Sequence, residues 1–187
     1  MAVMKKNTTK IKVLSFFAIL FFIISALPLL NACFPSMVEV TLYFAGYTET
    51  DFYLEPETRK ITDNEDLYKK ILEELVKGPD SKELYPTLPS STKVNSVAVE
   101  DGLAIVDLSK EVITDTTEIP HSSTTETLAI FSIVNSLTEF EDIEKVKITI
   151  NGMDKGKIDG IQIEDFWGHV GIYEEFTRNE DVINKPD

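Results

Sequence analysis

The chain holds one cysteine, Cys33, directly behind a basic and then apolar N-terminal segment. Lys5, Lys6, Lys10 and Lys12 lead, and the run from Val13 to Ile24 carries no charge. That order matches the positively charged start and apolar core of an export signal. Pro28 interrupts the helical pattern, and the small residue Ala32 stands just ahead of the cysteine. With Cys33 committed to the N-terminus, the body that follows has no cysteine. It can draw on no disulfide, no thiolate nucleophile and no cysteine-ligated metal, so packing has to hold it together.

The phrase Leu30-Asn31-Ala32-Cys33 resembles the lipobox of bacterial lipoproteins, in which the cysteine is processed and carries lipid. The chain is expected to divide into a signal peptide or membrane anchor (1–32), a lipidated Cys33 with a short tether (33–37), a domain (38–176) and a polar C-terminal tail (177–187). Val13 to Leu30 lies near the lower length limit for a membrane-spanning helix, which keeps an uncleaved anchor as the alternative. Either way the lysines favour a cytoplasmic N-terminus and an exported body. One acyl chain holds only marginally and several hold firmly. The expected place is therefore the extracytoplasmic face of the cell membrane, with the membrane itself as the first partner.

Charge narrows the other partners. Across 187 residues there are 18 Lys+Arg against 32 Asp+Glu, a net charge of −14. Four of those lysines sit in the leader, so the exported part is more acidic still. Binding to a nucleic acid needs clustered cations to neutralise phosphates, and this surface lacks them. No nucleic-acid partner is expected.

Along the body, Val38, Val40, Leu42 and Phe44 alternate with polar or aromatic residues, the period of a half-buried strand that Gly46 is expected to end. A second short strand is expected at Phe52 to Glu55, returning through Arg59 to Ile61. Leu67, Ile71 and Leu75, with Tyr68, Leu72 and Val76 on adjacent rows, predict an amphipathic helix capped by Asp63 or Asn64, with Glu65 and Asp66 in its first turn. Lys77-Gly78-Pro79 should stop it. Lys93 to Glu100 and Leu103 to Leu108 predict a hairpin around Asp101-Gly102. A Ser/Thr-rich loop then feeds a helix capped by Ser122 or Ser123 and carrying Ile130, Val134 and Leu137. A strand from Glu144 to Ile150 ends at Asn151-Gly152, a further short strand is expected near Ile161 to Ile163, and the chain should fray from Arg178 onward. The sum is an α/β (α+β) domain of two layers, with about four to six strands and two amphipathic helices on one face.

Five phrases in this order, VTLYFAG (Val40 to Gly46), LEELVKGP (Leu72 to Pro79), TKVNSVAVEDGLAIVDLS (Thr92 to Ser109), IFSIVNSLTEF (Ile130 to Phe140) and KVKITING (Lys145 to Gly152), resemble the GerMN-domain family of sporulation and spore germination proteins. The resemblance spans roughly residues 38–176. It implies an exported, membrane-associated module whose fold is related to the ring-building modules of secretion and sporulation machines. It also implies an envelope protein as partner and leaves homo-oligomer formation open.

Catalysis would need convergent groups or a metal. His121 beside Ser122, Ser123, Thr124 and Thr125 invites a hydrolase reading, but no nucleophile elbow surrounds those serines and they serve more simply as helix caps. His169 and His121 do not have the spacing of a zinc motif. Asp107, in an otherwise apolar strand, is expected to bond backbone amides or cap a turn, and Asn135 to tie down backbone beside its helix. No catalytic residue, metal ligand or cofactor is expected. The function expected is a membrane-tethered interaction or assembly module; a peptidoglycan-binding module or a cell-envelope hydrolase is the alternative. Cys33 is the expected lipidation site, and Phe166, Trp167 and Tyr173 are the expected contact residues, chosen as aromatic anchors.

Overall fold

The computed structural model describes residues 36–49, 51–63 and 66–184; the leader and Cys33 lie outside them. Strands β1 (Met37–Tyr47) and β2 (Phe52–Thr62) pair antiparallel over their full length. The second strand does not break and return, as the sequence suggested. Pro56 is tolerated because of where it falls in the ladder. It lies opposite Tyr43, whose N–H donates instead to Ser136 Oγ at 3.1 Å. The pair is thus one that exchanges no ladder bonds, and the missing proline donor costs nothing. Gly46 does not end β1 either. A side chain there would meet the ring of Tyr53 at 2.6 Å, so the glycine admits that ring against the strand.

Helix α1 (Leu67–Val76) buries Ile71, Leu72, Leu75 and Val76, the stripe read from the sequence. It starts later than expected, with Asp66 as its N-cap. Gly78, at φ +85°, ends it in the left-handed conformation that glycine takes without strain. Arg59 of β2 closes the same end: its guanidinium donates to the carbonyls of Glu74 (3.1 Å) and Gly78 (2.7 Å) and pairs with Glu57 at 2.7 Å. A cation at a helix C-terminus satisfies carbonyls that have no partner within the helix.

Strands β3 (Val94–Glu100) and β4 (Leu103–Leu108) form the expected hairpin. Asp101 and Gly102 both have positive φ (48° and 81°), as a type I′ turn requires. A short α2 (Glu111–Thr114) and then α3 (Ser123–Leu137) cross over to β5 (Lys145–Ile150), which lies parallel to β4. Ser122 caps α3 in a reciprocal box with Thr125. Strands β6 (Lys157–Ile158) and β7 (Ile161–Gln162) make a minimal ribbon. Strand β8 (Phe176–Thr177) completes the sheet order β3-β4-β5-β8.

The result is an α+β body of two layers whose counts differ from expectation: eight described strands in three sheets, and a third, four-residue helix. Ala104, Val106, Leu108, Val146, Ile148 and Ile150 of the sheet share one core with Ile71, Leu75, Ile130, Ile133 and Leu137 of the helices and with Leu42 and Phe44 of β1.

The segment from Arg178 to Asn184 is docked, not frayed. Asn135, fully buried on α3, donates from Nδ2 to the Asn179 carbonyl (2.9 Å) and accepts the Asn179 N–H at Oδ1 (3.0 Å). Arg178 reaches the Asn135 carbonyl and the hydroxyl of Tyr43, and Asn184 N–H donates to the Leu54 carbonyl on β2. Replacing Asn135 with Ala strands buried backbone groups and is expected to cost about 1–3 kcal/mol. For a domain of this size the melting temperature should fall by about 2–4 °C per kcal/mol. Thermal unfolding checks this, and an unchanged melting temperature would mean that Asn135 is not a structural tie.

Candidate interaction surface

The helices cover one face of the four-stranded sheet, and among the described residues no helix covers the other. Alternation puts Ala98, Ile105 and Lys147 in one row across three strands of that open face, with Glu100, Leu103 and Lys145 in the next. Ala98 and Ile105 are exposed, and Leu103 is half-buried. Strand β3 ends the sheet, so its outer edge pairs with no strand among the described residues. A bulge at Asn95 and a bond from Lys69 Nζ to the Asn95 carbonyl (3.3 Å) occupy the start of that edge. The remainder, from Ser96 to Glu100, is the kind of strand edge that can accept another chain.

Asp107 stands on the same open face. Its Oδ1 accepts bonds from Thr149 Oγ1 (2.9 Å) and Gly152 N–H (2.6 Å), and its Oδ2 accepts one from Asn95 Nδ2 (2.9 Å). The bond from the Gly152 amide, in the turn after β5, is the role expected from the sequence; the other two partners are side chains on the neighbouring strands.

Of the three expected contact aromatics, only Tyr173 reaches solvent, at 65% exposure. Its hydroxyl donates to Asp165, and both that bond and burial push the phenol above its ordinary range. It borders a depression of about 460 Å3 with Lys145, Lys147, Glu174 and Glu175 at the margin of the open face. Lys145 pairs with Glu175 (3.1 Å) and Lys147 with Asp154 (2.9 Å). Phe166 and Trp167 are 1% and 7% exposed, so neither is presented to a partner. The sequence shows their size but not the acceptor that lets Trp167 go inside, its indole N–H donating to the Val112 carbonyl at 2.8 Å.

The loop bearing these rings is held by one carboxylate. Glu126, fully buried in the first turns of α3, accepts the backbone N–H groups of His169 (2.8 Å), Gly171 (2.8 Å) and Trp167 (3.4 Å). A buried carboxylate is tolerated where hydrogen bonds replace its hydration. The sequence offered no signal for it beyond an acidic residue near a helix start. Against the loop, His121 stacks on Trp167 (ring centroids 4.4 Å apart, 6° between planes), and Phe166 also stacks on Trp167, at 5.2 Å.

The His121 Nε2 is buried with no hydrogen-bond partner among the described residues, and the Ser122 hydroxyl is occupied with Thr125. No group of three or more His, Cys, Asp or Glu among the described residues is placed to hold a metal ion. No described helix is long and apolar enough to cross a membrane.

The structure is a two-layer α+β scaffold with a four-stranded sheet. The model of the family described as Germane, sporulation and spore germination, matches residues 41–156, and the chain belongs to that family. Over 105 residues it is 33% identical to the spore germination protein GerM of Bacillus subtilis strain 168. That match takes in 54% of this chain and spans 27% of the length of the relative. The fold is similar to that of the tandem GerMN domains of the sporulation protein GerM from Bacillus subtilis. There the TM-score is 0.60 and the identity 24%, over 80% of this chain and 48% of that one. The first GerMN domain alone superposes with a TM-score of 0.52 at 28% identity, over 69% of this chain and 96% of that domain.

Burial holds the pKa of His121 below its ordinary 6.5, reinforced by His169 and opposed by Glu126, the Asp115 carbonyl and the Asp115 charge. A histidine depressed in the folded state contributes stability that is complete above the unfolded value. That contribution is lost as pH falls through 6.5 toward the folded pKa. Trp167 is the only tryptophan in the chain, so its fluorescence should titrate with a midpoint below 6.5 and go flat in His121→Gln. A midpoint at or above 6.5 would contradict a histidine held below its ordinary value.

Proposed function

We propose that this chain is an exported, membrane-tethered GerMN module that takes part in sporulation or germination by holding a partner protein of the cell envelope against its open sheet face. Residues 1–32 would direct export, Cys33 would carry the lipid, and the body beginning near residue 38 would present the surface. The observation that carries this proposal is a sheet with one covered face, one open face and a free β3 edge, in a member of a sporulation and germination family. Apolar Ala98 and Ile105 lie among Lys145, Lys147, Glu100 and the exposed Tyr173, the mixture of apolar centre and charged rim that binding surfaces use. Whether copies of the chain also pack on one another through this face belongs to the same proposal.

Two measurements test it in the native host. A photo-cross-linking residue at Ala98 or Ile105 should give discrete higher-mass adducts in sporulating cells, and one at Lys60 on β2 should not. Cys33→Ala should abolish fatty-acid labelling and release the chain from the membrane fraction. Equal adduct yields from Lys60 and Ile105 would remove the sheet face from the proposal. An unlabelled native protein recovered free in the cytosol would remove the tether.

A further inference from the structure

A second surface lies at the far end of the β1–β2 ribbon. By the two-residue period of β2, Tyr53, Glu55 and Glu57 stand in line on one face. The loop after α1 crosses in front of them and brings up Lys82, Glu83 and Tyr85. Together with Tyr47 they enclose a groove of about 560 Å3, within the range of pockets that hold small ligands. Tyr47, Phe52 and Tyr85 are all exposed, and their rings touch in sequence. Tyr47 lies 5.5 Å from Tyr85 and 6.4 Å from Phe52, between centroids, in tilted pairs. Three neighbouring aromatics left in water form the kind of patch that marks a binding site.

The walls are fixed. Tyr85 exchanges backbone bonds with Ala45 in both directions (2.8 and 3.1 Å). Glu57 accepts the N–H groups of Asp80 (3.1 Å) and Ser81 (3.0 Å) as well as the Arg59 guanidinium. Burial alone would raise the Glu57 pKa, but those amides and Arg59 bring it below the ordinary carboxylate value, so it stays charged and keeps the loop in place. Glu55 and Glu83 differ from Glu57. Their side chains line the groove and make no hydrogen bond or ion pair among the described residues.

The chemistry of the groove selects its ligand. A chain with net charge −14 disfavours a polyanion, and open carboxylates disfavour a lipid tail. A polypeptide added as a strand would need a free edge, yet both edges near the tip are taken. Tyr85 occupies β1 at Ala45, and Asn184 occupies β2 at Leu54. What remains is recognition by side chains alone, through flat rings and hydrogen-bonding groups. A sugar ring offers an apolar face of C–H groups to the first and a rim of hydroxyls to the second.

We infer that this groove binds an uncharged glycan strand, with Tyr47 and Tyr85 stacking on sugar faces and Glu55 and Glu83 accepting hydrogen bonds from hydroxyls. The site is separate from the sheet face, and its success or failure is independent of the protein-binding proposal.

The test uses the full chain in a detergent without a sugar headgroup. Co-sedimentation with chitin and cellulose, two uncharged polymers, is followed by calorimetric titration with chitotetraose or cellotetraose. Retention on either polymer is expected. Tyr47→Ala/Tyr85→Ala should weaken binding by at least about tenfold, while Tyr85→Phe, which keeps the ring, should stay near the parent affinity. Should the double alanine variant melt early, Glu55→Gln/Glu83→Gln serves in its place. Both side chains are unpaired among the described residues, so this variant should melt with the parent yet bind several-fold more weakly. No retention on either polymer, or retention indifferent to both double variants, would overturn the inference. So would photo-cross-links from Tyr85 to polypeptide in an envelope preparation when neither glycan is retained.

Discussion

Helix α3 is enclosed, and the shape of the domain follows from that confinement. Its buried set includes Glu126, Ser132, Asn135 and Ser136 as well as its apolar residues. A polar group taken out of water must find a partner or carry a desolvation penalty. Three of these four find it in segments without long regular structure or on a neighbouring strand. Glu126 gathers the 167–171 loop, Asn135 gathers the chain at Asn179, and Ser136 receives the outward N–H of Tyr43 on β1. Ser132 turns back on the Ala129 carbonyl within the helix. The helix thus serves as an interior post to which the ribbon, the loop and the C-terminal segment are fastened. The apolar core gives the protein its compactness, and these polar ties determine which irregular segments go where.

The same distinction explains which parts of the fold could be read from the sequence. The β3–β4 hairpin, the stop of α1 at Gly78 and the Ser122 cap are local events, decided by residues within a few positions of one another, and each was legible. The continuity of β2 through Pro56 was not, because it depends on Pro56 falling opposite Tyr43 at a pair that exchanges no ladder bonds. Gly46 and Pro56 look like strand breakers until the partner across each is known. Docking of the 178–184 segment was hidden for the same reason: its polar composition suggests solvent, and its partners are Asn135, Tyr43 and Leu54. Among the candidate contact residues, aromatic type was visible and exposure was not. Phe166 and Trp167 are inside because a stack with His121 and an acceptor on Val112 receive them. The aromatic tip is not legible in the sequence because Tyr47, Phe52, Tyr53 and Tyr85 come from three separate stretches that only the fold brings together.

The β1–β2 ribbon has a long axis of its own. A strand advances about 3.3 Å per residue, so Met37 and Tyr47 stand about 33 Å apart along β1. The aromatic groove lies at the Tyr47 end of that axis. The axis transmits that separation only if it resists bending, and a two-stranded ribbon alone is marginal in water. Here β1 packs its Leu42 and Phe44 into the main core, Arg59 locks β2 to the end of α1, and Tyr85 and Asn184 bond to the two edges near the tip. The stiffness of the ribbon is therefore borrowed from the helices and loops beside it. Loosening those ties would blur the position of the tip before it unfolded the core.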